Sequence, residues 1–330
     1  MKPRILYIDG FNAFLASYNA CRELNENCEP VGGYVGFLRQ LKNLINTFSP
    51  HKIVVVFDGP NAGFRRKQLF KEYKGKRGGS NKIRELKINI GTDEEKDIVG
   101  VNNEQQQFIE LWNVLKQLPI SLCIIPYCEA DDVIAYLIKK NSNYHSIIVS
   151  NDKDYLQLVD ENVNVYQFSK KLLITSENFI NYYKIKRENF LFYRTIVGDI
   201  SDELGGVKGV GEKNILKYFP QINTTIYNTI DEFWNAIEEI EEKGKIVEKI
   251  KEGRKTSYLM YELMRLDESG LSLKSIETLS NQLEQQKLKH LSKMNLKIYF
   301  VKHRLNLHIK DFDMWIASFV FLKNNLELSI

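Results

Sequence analysis

Cys128-Glu129-Ala130-Asp131-Asp132-Val133-Ile134-Ala135, followed by Ile147-Ile148-Val149-Ser150-Asn151-Asp152-Lys153-Asp154, is the stretch from which the fold is read. Five carboxylates fall between 129 and 154, each at the end of an expected element. Residues 121–127 are apolar and β-branched, about the length of a buried strand. A helix opens at Glu129, with Val133, Ile134, Leu137 and Ile138 on its apolar face. Residues 146–149 predict a second strand, and Asp152 and Asp154 follow its end. In an open α/β sheet, ligands bind beyond the carboxyl ends of the strands. Acids delivered there by two strands converge on one crevice. Carboxylates that close do not all stay ionised without a cation, and the simplest partner is a hard divalent ion, Mg²⁺ or Mn²⁺. For Glu129, Asp131 and Asp132 alone, an acid-rich first helical turn is an equal alternative, because it suits the helix dipole. A second cluster behind a second strand weighs against it.

Outward from this stretch the same pattern recurs. Ile5-Leu6-Tyr7-Ile8 predicts a central strand ending at Asp9-Gly10, with a helix from Phe11. Residues 33–48 carry a helical apolar period, stopped by Ser49-Pro50. Ile53-Val54-Val55-Val56-Phe57 is a strand with Asp58 at its tip. One strand-tip aspartate is an ordinary turn former; repetition at Asp9, Asp58 and Asp152 is harder to dismiss. A helix is expected over 104–118, a strand over 163–168, helices over 176–183 and 190–197, and helix throughout from Asn223.

Residues 63–87 hold ten Lys or Arg against two acids, Glu72 and Glu85, with Phe64, Phe70 and Tyr73 interleaved. Charge runs are usually solvated faces; the sharper reading is a phosphate-binding arch with stacking surfaces. Further on, Asp199 and Asp202 lead into glycines 205, 206, 209 and 211, with Lys208 and Lys213 beside them. The run reads either as a plain turn between helices or as a cradle of backbone amides for a phosphate.

The chain has 330 residues, 43% hydrophobic and 27% charged, enough for one large core or two domains and unlike a disordered chain. Its net charge of +4 is mild, so the distribution of charge matters more than the total. Four cysteines without a C-x-x-C pair and five scattered histidines suggest neither a disulfide framework nor a zinc site. No signal peptide or membrane-spanning run is seen, which leads to the expectation of a cytoplasmic protein.

Taken in order, Ile8-Asp9-Gly10-Phe11-Asn12, Val56-Phe57-Asp58-Gly59, Arg65-Arg66 through Tyr73-Lys74-Gly75-Lys76-Arg77, Glu129-Ala130-Asp131-Asp132, Asp152-Lys153-Asp154 and Gly198-Asp199-Ile200-Ser201-Asp202 with Gly206-Val207-Lys208-Gly209-Val210-Gly211 resemble the flap endonuclease/5′-nuclease family. The likeness is greatest to the bacteriophage 5′→3′ exonucleases, including the phage RNase H type. It implies an α/β fold: a PIN-like sheet with a helical arch at about 63–103 in residues 1–197, then a helix–three-turn–helix module and helical region in 198–330.

The resemblance further implies two Mg²⁺ or Mn²⁺ ions held by Asp9, Asp58, Glu129, Asp131, Asp132, Asp152, Asp154, Asp199 and Asp202. The first five would mostly serve the catalytic ion, Asp152 would lie between the two, and the last three would serve the second. Lys74 and Arg77 would contact the scissile phosphate. Arg65, Arg66, Tyr73 and Lys76 would contact nucleic acid, as would Gly206, Lys208, Gly209, Gly211 and Lys213, with K⁺ at the glycine turn. The activity implied is 5′→3′ exonuclease or flap endonuclease action on DNA or RNA–DNA hybrids in primer removal, by a monomer that works alongside a replicative polymerase or a single-strand-binding protein. Two rivals are a PIN-type ribonuclease, which needs neither basic arch nor glycine turn, and a non-catalytic nucleic-acid-binding scaffold, which would tolerate lost carboxylates.

Overall fold

The computed structural model describes residues 2–75, 103–199, 202–267, 270–286, 291–305, 308–309, 311–320, 322 and 328–330. Lys76 and Arg77, and most of the expected arch, lie outside these described residues.

Five parallel strands run in the order β3-β2-β1-β4-β5: β1 (Arg4–Asp9), β2 (Lys52–Asp58), β3 (Ser121–Ile125), β4 (His145–Val149) and β5 (Val163–Gln167). A short β6 (Leu172–Ile174) closes the β5 edge antiparallel. The strands read as continuous apolar runs because both faces are covered. Ile5, Tyr7, Val54 and Val56 enter one core, and their neighbours Leu6, Ile8, Val55 and Phe57 enter the other.

On the second face lie α1 (Gly10–Ala20), α2 (Gly32–Phe48) and, beyond the short α3 (Phe64–Leu69), α4 (Asn103–Leu115). On the first lie α5 (Ala130–Lys140), α6 (Phe179–Tyr183) and α7 (Phe190–Val197). That core continues through α8 (Glu212–Tyr218), α9 (Ile230–Glu238) and α10 (Lys245–Glu252), which supply Ile215, Phe233, Trp234 and Ile250, while α11 (Arg254–Met264) rests Tyr258 and Tyr261 against it and buries Met260, Leu263 and Met264 in a small cluster with Tyr73 and Leu204. A two-residue ladder, β7 (Gly198–Asp199) with β8 (Leu204–Gly205), joins the halves.

The last elements return to the sheet. Along the open edge of β3 lies α12 (Leu273–Gln286). Gln286 accepts the Leu122 N–H at 2.6 Å and donates to the Leu122 carbonyl at 2.7 Å; Gln282 does the same for Ile124 at 3.1 and 2.8 Å. Two side chains four apart on a helix rise about 6 Å, close to the roughly 6.6 Å between alternate strand residues. The helix thus satisfies an edge that would otherwise invite another strand. Finally α13 (Lys293–Lys302) and α14 (Phe312–Val320) bring Leu296, Phe300, Trp315 and Phe319 into the core with α1 and α2. The cores therefore cross the expected 197/198 division.

Some boundaries differ from expectation. The strand expected over 121–127 ends at Ile125: Pro126 has no N–H to give, and Tyr127 adopts a left-handed backbone with φ 65°. The helix expected from 176 starts at Phe179, because Thr175 and Asn178 hydrogen-bond to each other's backbone N–H in the turn before it. Among the described residues no helix is long and apolar enough to cross a membrane.

Candidate metal centre

Because β2 and β4 flank β1, the chain reverses its progress across the sheet at β1/β4, where open sheets form a crevice. Asp9 ends β1 there. Its carboxylate accepts the Asn12 N–H at 3.1 Å, capping α1, and the Ser150 hydroxyl at 3.2 Å from beyond β4. Asp58 ends β2 and accepts the Ala130 N–H at 2.8 Å, so it caps α5 in place of Glu129, the residue at the cap position. Glu129 is thereby left to face inward. Asp152 follows β4 and is held in a tight turn: its N–H donates to Ser150 Oγ at 3.1 Å, and its own carboxylate accepts the Asp154 N–H at 2.9 Å.

These acids form two groups whose oxygens approach within 4.8 Å of one another: Glu129, Asp131 and Asp132, and Asp152, Asp154 and Asp199. Asp9, Asp58, Glu129, Asp131, Asp152 and Asp199, with Lys74 and Arg194, wall one cavity of about 740 Å³. Asp132, Asp154 and Asp202 are buried beside it.

Among the described residues four cations meet the acids, Arg65 at 3.4 Å from Asp132 and three held more closely. Arg66, 2% exposed, grips Asp132 with both terminal nitrogens at 2.8 and 2.9 Å, bonds Glu129, lies 3.5 Å from Asp131, and donates Nε to the Leu263 carbonyl at 2.8 Å. Lys74 rests on Glu129 and lies 3.4 Å from Asp202. Arg194 bridges Asp154, at 3.0 Å, and Asp199. The Tyr73 hydroxyl lies 3.2 Å from Glu129 and 3.3 Å from Asp202.

Among the described residues these four cations are outnumbered by the nine carboxylates. Burial, then neighbouring Asp58, pushes Asp9 up to about 7; burial, then Asp152, pushes Asp154 up to about 7. Burial likewise raises Asp131, Asp132 and Asp152. Glu129 runs the other way: burial opposes its charge, but Lys74 and Arg66 outweigh that and hold it well below the usual range. All-oxygen donors with surplus negative charge fit hard divalent cations.

The structure revises part of the sequence reading. Arg66 and Tyr73 were expected on nucleic acid; both are buried with their polar ends among the carboxylates, so neither offers a surface to a duplex. Arg65 is 30% exposed at its side chain and reaches Asp132 at 3.4 Å. Gly206 serves chain closure, since a Cβ there would meet the Ile196 carbonyl at 2.2 Å. Gly209, with φ +80°, Gly211, Lys208 and Lys213 are exposed. Arg194 was missed, although the signal was present: it is the lone charge in the apolar run Phe190–Val197, five residues before Asp199.

Residues 4–184 match the family described as "5'-3' exonuclease, N-terminal resolvase-like domain". The 5'-3' exonuclease of Aquifex aeolicus is 31% identical over 310 residues, covering 90% of this chain and 96% of that protein. The 5'-3' exonuclease of Buchnera aphidicola subsp. Acyrthosiphon pisum is 30% identical over 272 residues, covering 79% and 86%. Among solved structures, the bacteriophage T5 flap endonuclease in a complex with DNA and metal ions superposes with a TM-score of 0.61 at 19% identity, covering 86% of this chain and 99% of that one. At that identity the likeness speaks for the fold.

Proposed function

This chain belongs to the 5'-3' exonuclease family of metal-dependent hydrolases, and from that premise we propose that it removes 5′-terminal segments, flaps or RNA primers from duplex DNA during replication. The convergence of acids from the ends of β1, β2 and β4 on one cavity carries this reading. Two Mg²⁺ or Mn²⁺ ions are the proposed cofactors, held by Glu129, Asp131, Asp152, Asp154 and Asp199 with Asp9 and Asp58 alongside. When bound, such ions lower the pKa of water and neutralise the oxygens of a phosphodiester.

The chain's own groups have separate tasks. Arg66 fixes Glu129 and Asp132, so that Asp131 meets the cavity from a rigid helix start. Lys74, at the cavity wall, supplies positive charge to the reacting phosphate. Asp132 completes the group with Glu129 and Asp131 and, like Glu129, is steadied by Arg66; Asp202 is proposed to serve the second ion. Arg77 remains a second candidate for the phosphate. The turn at Gly209 and Gly211, with Lys208 and Lys213, is proposed to hold the backbone of the duplex, with K⁺ bound there. A replicative polymerase or a single-strand-binding protein is the proposed partner, and the cytoplasm the proposed location, that of the host if the chain is phage-encoded.

Cleavage of a 5′-flap duplex is compared with that of single-stranded RNA, with and without Mg²⁺. Flap cleavage that needs the ion is expected. Preferential cleavage of the RNA would favour a PIN-type ribonuclease, and binding without cleavage a scaffold.

A further inference from the structure

Beside the acids lies a feature the proposed chemistry does not use. Phe64 and Tyr127 are 50% and 58% exposed, yet their rings meet edge to face at 5.9 Å. Each is held from its backbone: the Tyr127 N–H donates to the Pro60 carbonyl at 2.8 Å, and the Phe64 N–H to the Asn61 carbonyl at 3.2 Å. Tyr127 keeps φ 65°, a conformation that costs free energy for a bulky residue. Each residue lies two positions along the chain from a group at the centre: Tyr127 precedes Glu129, and Phe64 precedes Arg66, whose guanidinium binds that same Glu129. Two residues span at most about 7 Å of chain.

Residues 64–71 hold Arg65, Arg66, Lys67 and Lys71 and no acid, and Lys67 and Lys71 are exposed. An exposed pair of aromatic rings among cations suits unpaired bases on a phosphate backbone, because every base has a π-face and every linkage a charge.

We propose that Phe64 and Tyr127 form a stacking platform for an unpaired 5′ strand at the rim of the acidic cavity. This deepens the proposed nuclease function by naming where the single-stranded arm rests. The platform acts on affinity and substrate selection, not on the hydrolytic step.

Fluorescence anisotropy tests it, with a duplex bearing a 5′ single-stranded arm and the same duplex blunt-ended, in EDTA. Phe64→Ala and Tyr127→Gly should each weaken the armed substrate about tenfold and leave the blunt one unchanged. The salt slope should stay the same, since stacking releases no counterions. Glycine suits the left-handed backbone, so the melting temperature of Tyr127→Gly should hold or rise; loss of binding then is not loss of fold. Equal losses on both substrates, or none on either, overturn the platform. A change in sedimentation with unchanged binding of the arm also overturns it, and makes the patch a contact between copies. If the chain is not a nuclease at all, blunt and armed duplexes both stay uncut in Mg²⁺, an outcome separate from the binding comparison.

Discussion

Lys74 joins Glu129 of one acidic group to Asp202 beside the other, its ammonium resting on the first carboxylate and 3.4 Å from the second. A fixed positive charge in that position competes with a divalent ion while it also favours a phosphate. We predict that Lys74→Met lowers single-turnover cleavage roughly 100- to 1,000-fold yet tightens Mg²⁺ or Mn²⁺ binding to the DNA-free protein, measured by calorimetry. Weaker ion binding together with slower cleavage would make Lys74 an organiser of the acids instead.

Arg66 is anchored on four sides, by Asp132, Glu129, Asp131 and the Leu263 carbonyl. Removing one partner of a buried ion pair strands the rest. Arg66→Gln is predicted to cost about 3–5 kcal/mol of stability in urea denaturation. Arg66→Lys should recover little of it, because an ammonium does not reproduce the two-pronged grip on Asp132. Full recovery by lysine would mean that charge alone matters there.

The raised carboxyls fix the sign of a pH effect. Asp9 and Asp154 titrate at about 7 in the folded, ion-free protein, against an ordinary 3.8. Between about pH 5 and pH 7 the folded state therefore holds protons that the unfolded chain has released, and stability falls as pH rises. His145, lowered chiefly by burial, acts in the opposite sense but is one group against several. The melting temperature in EDTA should drop across this window, and Mg²⁺ should flatten the drop by selecting the ionised acids. A melting temperature that climbs with pH in EDTA would contradict the assignment.

Gly211 caps α8 with φ −110°, an extended backbone open to any residue, and nothing lies within 4 Å of a Cβ there. Gly211→Val should consequently leave the fold intact, with only the small drop in melting temperature that goes with exchanging an N-cap glycine for valine. If the turn holds a duplex phosphate, binding of substrates with a duplex arm should weaken, and the salt slope should flatten by about 0.9. Unchanged affinity and slope would leave the turn a simple connection.

The sequence made the strand-tip acids legible because an apolar run followed by Asp is a local signal, and parallel strands carry such tips to one edge. Arg66 was not legible in the same way. Within a run of basic residues, nothing local says which side chain turns inward; only the packing of α3 against α11 decides it. The three-residue β6 is too short to leave a pattern. The return of α13 and α14 to the second-face core, with α1 and α2, was hidden for a related reason: an amphipathic helix announces that it has a buried face, not which core receives it.

The glutamine seal on β3 gives the molecule a vulnerable interval. Leu122 and Ile124 wait for partners 164 and 158 residues further along the chain. While the protein is being made, the sheet can form as soon as β5 has emerged, but its outer strand stays uncovered until Gln286 follows. A nascent chain in that interval carries an edge open to intermolecular pairing. Chains truncated before Leu273 should accordingly sediment as aggregates, and chaperone dependence should concentrate in the period before the final helices leave the ribosome.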